Sequence, residues 1–220
     1  MEYLYAETTQ LPAERIITAI QGQLLQHKKV LWLISGGSAV DVAVEAAKQL
    51  ENQPLLTIMQ IDERYGPVGH ADSNWQQIIQ KGMNVKAFRC YPILTGKDIE
   101  QTTNEYDALL ASCLEDADFV IGLFGIGADG HTAGMLPGSV AVTEQRRLVV
   151  SYEAADFDRI TVAMPFFTKV DMAVVVALGE AKINALLMLR QDLSPEEQPA
   201  QTLKKAKELY VYTDNKGVIT

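Results

Sequence analysis

Five short apolar runs recur along this chain of 220 residues and constrain its fold more than any other feature. They span residues 30–34, 55–61, 119–124, 160–164 and 172–178. Apolar runs without alternation are typical of strands covered on both faces, as in a parallel sheet packed between helices. Segments with helical spacing lie at residues 13–26, 40–50, 75–81, 98–114 and 181–190. The pattern predicts an α/β fold with a doubly wound, mostly parallel, Rossmann-like sheet and helices on both faces.

The length is sufficient for one large core and short for two, so we expect a single domain over residues 1–220. No repeat or Gly/Ser linker interrupts the chain, and only residues 194–201 (SPEEQPAQ) have the composition of a surface loop. Ser38 with Asp41, and Ser73 with Gln76, resemble capping boxes and are expected to begin two helices.

Charge and composition exclude several classes of protein. The net charge of −9 argues against nucleic acid or an anionic membrane as a partner. A small phosphate is still compatible, because it responds to cations within about 8–10 Å. The amino terminus lacks a signal pattern and no run could span a bilayer, so we expect a cytoplasmic protein. Cys90 and Cys113 form no CxxC pair, which indicates core or surface thiols rather than disulfides or a zinc site.

Polar segments follow four of the predicted elements. They are SGGS (35–38), DER (62–64), GIGADGH (125–131) and GEAK (179–182), each directly after an apolar run. Ligands of open α/β sheets bind at the carboxyl ends of the strands, where loops and helix amino termini converge. The sequence therefore predicts a ligand site built from these four segments.

The SGGS segment has two interpretations. Glycines let a backbone approach a phosphate closely, and free amides at a helix start favour an anion. The same residues also form tight turns in which a serine caps the next helix. No Lys-Ser/Thr pair follows, so an ATP-binding P-loop is disfavoured. Arg64, Arg159 and Lys182 are the candidates for the positive charge that a phosphate requires, although most single cations are merely surface residues.

The segment GIGADG, residues 125–130, fits GxGxxG and raises the possibility of a dinucleotide site, with Glu153 as the acid that follows. Pro137 and Gly138 would end a helix from Gly130 within two turns, which argues against that site. A catalytic role for His131 is favoured, because an imidazole has an unperturbed pKa of about 6.5.

The remaining candidates for chemistry are weaker. His27 is expected on the surface beside two lysines, and His70 either lines a pocket or lies on the surface. The chain has no GxSxG nucleophile and no third ligand beside Asp129 and His131, so neither a covalent intermediate nor a metal is predicted.

These segments together carry a resemblance. SGGS, DERxxPxxHxDSN (62–74), GxGxDGHTA (125–133) with LPG after it, DRIT (158–161) and GEAK resemble the 6-phosphogluconolactonases of the glucosamine/galactosamine-6-phosphate isomerase superfamily, over nearly the whole chain. The deaminase/isomerase branch resembles DGHIAFNEP, with a catalytic glutamate five residues after the histidine. This chain has Leu136 there, and it has Arg64 where that branch usually has tyrosine. Both differences favour the lactonase branch.

The resemblance implies hydrolysis of 6-phospho-D-glucono-1,5-lactone to 6-phosphogluconate in the oxidative pentose phosphate pathway, without cofactor or metal. It implies that His131 is the general base and that Asp129 orients it or binds a sugar hydroxyl. Arg64 would stabilise the oxyanion or clamp the substrate, and Asp62 would bind hydroxyls. The implied phosphate-binding residues are Ser35, Gly36, Gly37, Ser38, Arg159 and Lys182. A glucosamine-6-phosphate deaminase and a non-catalytic sugar-phosphate sensor stay as alternatives.

Overall fold

The computed structural model describes residues 1–219, and within them the chain alternates strands and helices. The strands are β1 (Glu2–Tyr5), β2 (Val30–Ile34), β3 (Leu56–Gln60), β4 (Asp62–Arg64), β5 (Arg89–Tyr91), β6 (Phe119–Gly125), β7 (Val149–Glu153), β8 (Asp158–Val162), β9 (Met172–Val176) and β10 (Glu208–Thr213). The helices are α1 (Gln10–Leu24), α2 (Val40–Ala47), α3 (Asn74–Gln80), α4 (Ile99–Asp116), α5 (Val140–Thr143), α6 (Ile183–Leu189) and α7 (Lys216–Ile219).

A seven-stranded parallel sheet forms the centre, in the order β1-β10-β9-β6-β2-β3-β5. Alternate side chains of β2 enter different cores: Trp32 belongs to the core that includes residues of α1, α2 and α3, whereas Leu33 belongs to the core that includes residues of α4 and α6. Covering on both faces explains why these strands are continuous apolar runs. The predicted doubly wound α/β fold is confirmed.

A second, antiparallel sheet of three strands, in the order β4-β8-β7, lies beside the first. The run 160–164 was expected in the parallel sheet, and that placement is wrong, because β8 pairs with β4 and β7 instead. Its Ile160 and Val162 are fully buried, so its composition resembles that of a central parallel strand. The DER segment is itself strand β4.

Of the two helix caps and the surface loop that the sequence predicts, one cap is confirmed and the other cap and half of the loop are not. Ser73 caps α3, since its side chain accepts the backbone N–H of Gln76 at 3.1 Å, as predicted. The cap predicted at Ser38 is wrong, because Gly37–Ala39 forms a 3₁₀ turn and no side chain caps α2. The surface loop predicted at residues 194–201 is also wrong for its second half, where residues 198–201 are buried at the start of a 3₁₀ helix, Pro199–Lys205.

The order of the strands creates a crevice. From β2 the chain proceeds to β3 and β5 on one side, and from β6 it proceeds to β9 and β10 on the other. The loops after β2 and β6 therefore leave the sheet in opposite directions, which is the arrangement in which open α/β sheets bind ligands. Among residues 1–219, no helix has the length and apolar character needed to cross a bilayer. The cytoplasmic location stays a prediction.

Candidate active site

A cleft lies at the carboxyl ends of four neighbouring strands, β9, β6, β2 and β3. Every residue predicted for the site lines this cleft except Asp129, which contacts the lining residue His131. Residues as far apart in the sequence as Ser35 and Lys182 are thus brought to one edge of the sheet. Their individual roles stay predictions.

His131 is held by an aspartate of its own loop. Its Nδ1 lies 2.6 Å from Asp129 Oδ1, and its backbone N–H donates to the same oxygen at 3.1 Å. A carboxylate at Nδ1 favours the tautomer in which Nδ1 carries the proton, which leaves Nε2 as the acceptor. The imidazole is 38% exposed, so this acceptor can meet a ligand. The geometry suits a general base.

The pKa of Asp129 lies below its usual value. Partial burial acts to raise it, but the backbone N–H, the charge and the ring N–H of His131 together lower it by more. Asp129 therefore stays ionised beside the imidazole and can stabilise the positive charge that the ring gains on accepting a proton.

Gly127 explains why this loop needs glycine. A Cβ at that position would lie 2.1 Å from His131 Nδ1 and 2.4 Å from Asp129 Oδ1, so any side chain would separate the pair. After Gly130 the chain forms turns until α5 begins at Val140. The long helix that a dinucleotide loop requires does not follow, which argues against that alternative.

Asp62 is buried and joins two walls of the cleft. Its Oδ1 accepts the hydroxyl of Ser35 at 3.0 Å, and its Oδ2 accepts the side-chain amide of Asn74 at 3.1 Å. Burial and the charge of Glu63 raise its pKa, against the hydrogen bond from Ser35 and the charges of Arg64 and Arg159. Direct binding of a sugar hydroxyl by Asp62 stays a prediction.

Glu63 fixes strand β4 to the start of α3, although sequence reasoning did not select it. Its carboxylate accepts the backbone N–H groups of Asn74 and Trp75, at 2.6 and 3.0 Å, and the hydroxyl of Ser73 at 2.9 Å. It also accepts the amide of Gln60 and the N–H of Arg64, both at 2.8 Å. An acid that binds the first amides of a helix is stabilised by them.

Arg64 and Arg159 lie directly opposite each other on β4 and β8. Arg64 donates from Nη1 to the carbonyl of Asp72 at 2.8 Å, and Arg159 donates from Nη2 to Asp156 at 2.6 Å. Within residues 1–219, the buried Nε of each has no hydrogen-bond partner. Like charges opposite each other destabilise a sheet, and a bound anion would offset that repulsion. The pair therefore suits an anionic ligand.

The turn after β2 approaches Asn74 closely. A Cβ on Gly36 would lie 2.0 Å from Asn74 Oδ1, and Gly37 has φ +64°, a conformation that favours glycine. Asn74 is fully buried, and its Oδ1 has no partner within the described chain. Sequence reasoning included Asn74 in the DSN segment but assigned it no role. Its place directly after the capping serine was the available signal.

The remaining predicted residues are placed as follows. Lys182 lines the cleft at the end of a 3₁₀ turn, Glu180–Lys182, just before α6. His27 is exposed, as expected. His70 binds the carbonyl of Arg64 at 3.0 Å and does not line the cleft. Cys90 and Cys113 are half-buried free thiols. Residues 1–219 contain no cluster of three potential metal ligands.

Comparison with known proteins places the chain among enzymes of sugar phosphates. A family model described as glucosamine-6-phosphate isomerases/6-phosphogluconolactonase matches residues 5–211. A 6-phosphogluconolactonase of Synechocystis sp. is 28% identical, over 92% of this chain and 89% of its own. A glucosamine-6-phosphate deaminase of Streptococcus pyogenes is 24% identical, over 90% and 89%.

Solved structures share the fold. A 6-phosphogluconolactonase of Thermotoga maritima has a TM-score of 0.81 at 20% identity, covering 96% of this chain and 98% of its own. A monomeric glucosamine-6-phosphate deaminase has a TM-score of 0.76 at 19% identity, with both chains fully covered. The match of the family model over residues 5–211 shows that this chain belongs to the family of glucosamine-6-phosphate isomerases and 6-phosphogluconolactonases.

Proposed function

We propose that this chain hydrolyses 6-phospho-D-glucono-1,5-lactone to 6-phosphogluconate. The observation that supports this most is the imidazole of His131, bound at Nδ1 by Asp129 and lying in one cleft with two arginines and a lysine. A base and several cations are the groups that hydrolysis of a phosphorylated lactone requires. The 28% identical relative that covers 92% of the chain is a lactonase, which supports the same conclusion.

In the proposed reaction, His131 Nε2 removes a proton from a water molecule while that water attacks the lactone carbonyl. Asp129 stabilises the imidazolium, and Arg64 stabilises the oxyanion. The intermediate collapses as the bond from C1 to the ring oxygen breaks, and the imidazolium returns its proton to that oxygen. General-base catalysis contributes about 10²–10⁴ and one oxyanion donor about 10²–10³. Because a lactone is an activated ester, these two contributions are sufficient for its hydrolysis without a covalent intermediate.

The other end of the substrate is assigned to the cations and the glycine turn. Arg159, Lys182 and the Ser35–Ser38 turn would bind the 6-phosphate, through charge-assisted hydrogen bonds of about 1.5–3 kcal/mol each. This assignment separates the reacting end of the cleft, at His131, from the binding end.

Deamination of glucosamine 6-phosphate is the second candidate, because deaminases of Streptococcus pyogenes match 90% of the chain. The position that resembles the catalytic glutamate of that branch is Leu136, which has no group that can transfer a proton. Its backbone N–H donates to the hydroxyl of Tyr152 at 3.3 Å. We therefore favour the lactonase.

A coupled assay tests the proposal. The purified chain is given the lactone, and 6-phosphogluconate is measured by NADPH formation with 6-phosphogluconate dehydrogenase. We expect turnover well above the spontaneous rate, and a loss of about 10²–10⁴ in kcat for His131→Ala. Glucosamine 6-phosphate is assayed in parallel. Equal rates of lactone hydrolysis by the wild type and by His131→Ala would contradict the proposed base. Turnover of glucosamine 6-phosphate alone would support the deaminase. Wild-type turnover of neither substrate would support a sensor.

A further inference from the structure

Gln198 is fully buried, although it lies in a segment with the composition of a surface loop. Its neighbours Glu196 and Glu197 are exposed. A buried side-chain amide is stable only when its donors and acceptor find partners. The partners of Gln198 therefore show what this side chain holds together.

The amide of Gln198 binds the first turn of α6. Its Nε2 donates to the carbonyl of Ala185 at 2.7 Å, and its Oε1 accepts from Nε2 of Gln201 at 2.6 Å. Ala185 lies three residues after Lys182, in the first turn of α6, which begins directly after this lysine. The amide thus fixes the part of α6 that carries this lysine.

The aliphatic part of Gln198 packs on the loop of the candidate base. A Cβ on Gly130 would lie 2.7 Å from Gln198 Cγ, and the backbone N–H of Ala200 donates to the Gly130 carbonyl at 3.0 Å. Gly130 stands between Asp129 and His131 in the chain. One buried side chain therefore contacts both the loop of His131 and the helix that follows Lys182.

We propose that Gln198 is a positioning residue that fixes the distance between His131 and Lys182. This rests on the proposed function, in which His131 acts at the carbonyl and Lys182 binds the phosphate of the same molecule. A displacement of 1 Å between reacting groups can lower a rate by about 10²-fold. Without the amide of Gln198, the base and the phosphate-binding lysine are both retained but their spacing is no longer fixed. The loss should therefore affect kcat rather than KM.

The test is Gln198→Met, which keeps the length of the side chain but loses the amide. We expect kcat to fall by about 10- to 100-fold, with KM within about threefold and an unchanged pH profile. The matched control is Thr202→Val, which removes a buried hydrogen bond of 2.7 Å to the Pro199 carbonyl in the same 3₁₀ helix. We expect that variant to lose stability and to keep its kcat within about twofold.

A kcat of Gln198→Met within about twofold of wild type would overturn the proposal, as would a raised KM alone or an equal loss in Thr202→Val. If Gln198→Met does not fold, Gln198→Asn carries the same expectation, because its amide is one methylene too short. The imidazole NMR signal of His131, assigned with His131→Ala, gives a readout without turnover. We expect this signal to shift in Gln198→Met and to stay unchanged in Thr202→Val. An unchanged signal in Gln198→Met would overturn the proposal that Gln198 positions His131. An inactive wild type would instead contradict the proposed function.

Discussion

Asp62 and Asp129 both follow strands of the same parallel sheet and both belong to the candidate site, yet their surroundings are opposite. Asp62 is 5% exposed and its pKa is raised by burial and by Glu63. The side chain of Asp129 is 51% exposed, and hydrogen bonds from His131 lower its pKa despite partial burial. Asp62 binds two uncharged wall residues, whereas Asp129 binds the imidazole. We therefore propose that Asp62 builds the wall of the cleft and that Asp129 acts in its chemistry.

The largest effect that this comparison predicts is on turnover of Asp129→Asn. The amide can no longer stabilise an imidazolium, and it can hold the ring in the wrong tautomer. We expect kcat in the lactonase assay to fall by about 10²-fold, with KM little changed. A kcat within about threefold of wild type would remove Asp129 from the proposed mechanism.

Asp62→Asn should act mainly on stability. The Ser35 hydroxyl would have to turn and accept from the new amide, and Asn74 would donate to a neutral oxygen in place of a carboxylate. We expect this change to be destabilising by about 1–3 kcal/mol. Urea unfolding measures this loss, and Ser35→Ala is the control that removes one bond without adding a donor. We expect kcat to fall less than in Asp129→Asn. A greater loss of kcat in Asp62→Asn would reverse the two roles.

The smallest expected effect is on the pH dependence of unfolding. The raised pKa of Asp62 means that its contribution is greatest in acid and is lost as pH rises through its folded pKa, above 3.8. The lowered pKa of Asp129 means that its contribution is present near neutrality and is lost as pH falls below 3.8. Because Asp129 is half-exposed, we expect less than about 1 kcal/mol from it.

Urea unfolding of wild type and both variants between pH 3 and pH 7 tests these signs. The stability difference from Asp62→Asn should shrink as pH rises, and that from Asp129→Asn should grow. If the stability differences of the two variants change with pH in the same direction, the two carboxylates do not differ as described.

Sequence reasoning found the elements whose signal is local. The central strands are apolar because both faces are covered, and Ser73 caps α3 through a residue three positions away. It missed what depends on distant contacts. Nothing near Arg64 indicates that Arg159 lies opposite it, and nothing near Gln198 indicates that Gly130 and Ala185 bury it. Strands β1 and β10 were also missed, because their short runs are rich in tyrosines that are in part only half-buried.

The site residues of the four segments were predicted to meet because parallel strands share a carboxyl edge, and all of them except Asp129 line one cleft. The hydrogen-bond partners within the site were not predictable from the sequence. The bonds that Glu63 accepts from residues 73–75, for example, form only when the intervening loop is folded. The catalytic and binding roles stay predictions until the variants are measured.

The cleft is assembled from loops after β3 and β2 on one side and after β6 and β9 on the other. A fragment that stops before β6 would contain the serine-glycine turn and the DER strand but no imidazole from residue 131. A fragment that begins at β6 would contain the imidazole without the glycine turn. Neither half contains every group of the cleft, which is complete only when the two halves of the sheet join along β2 and β6.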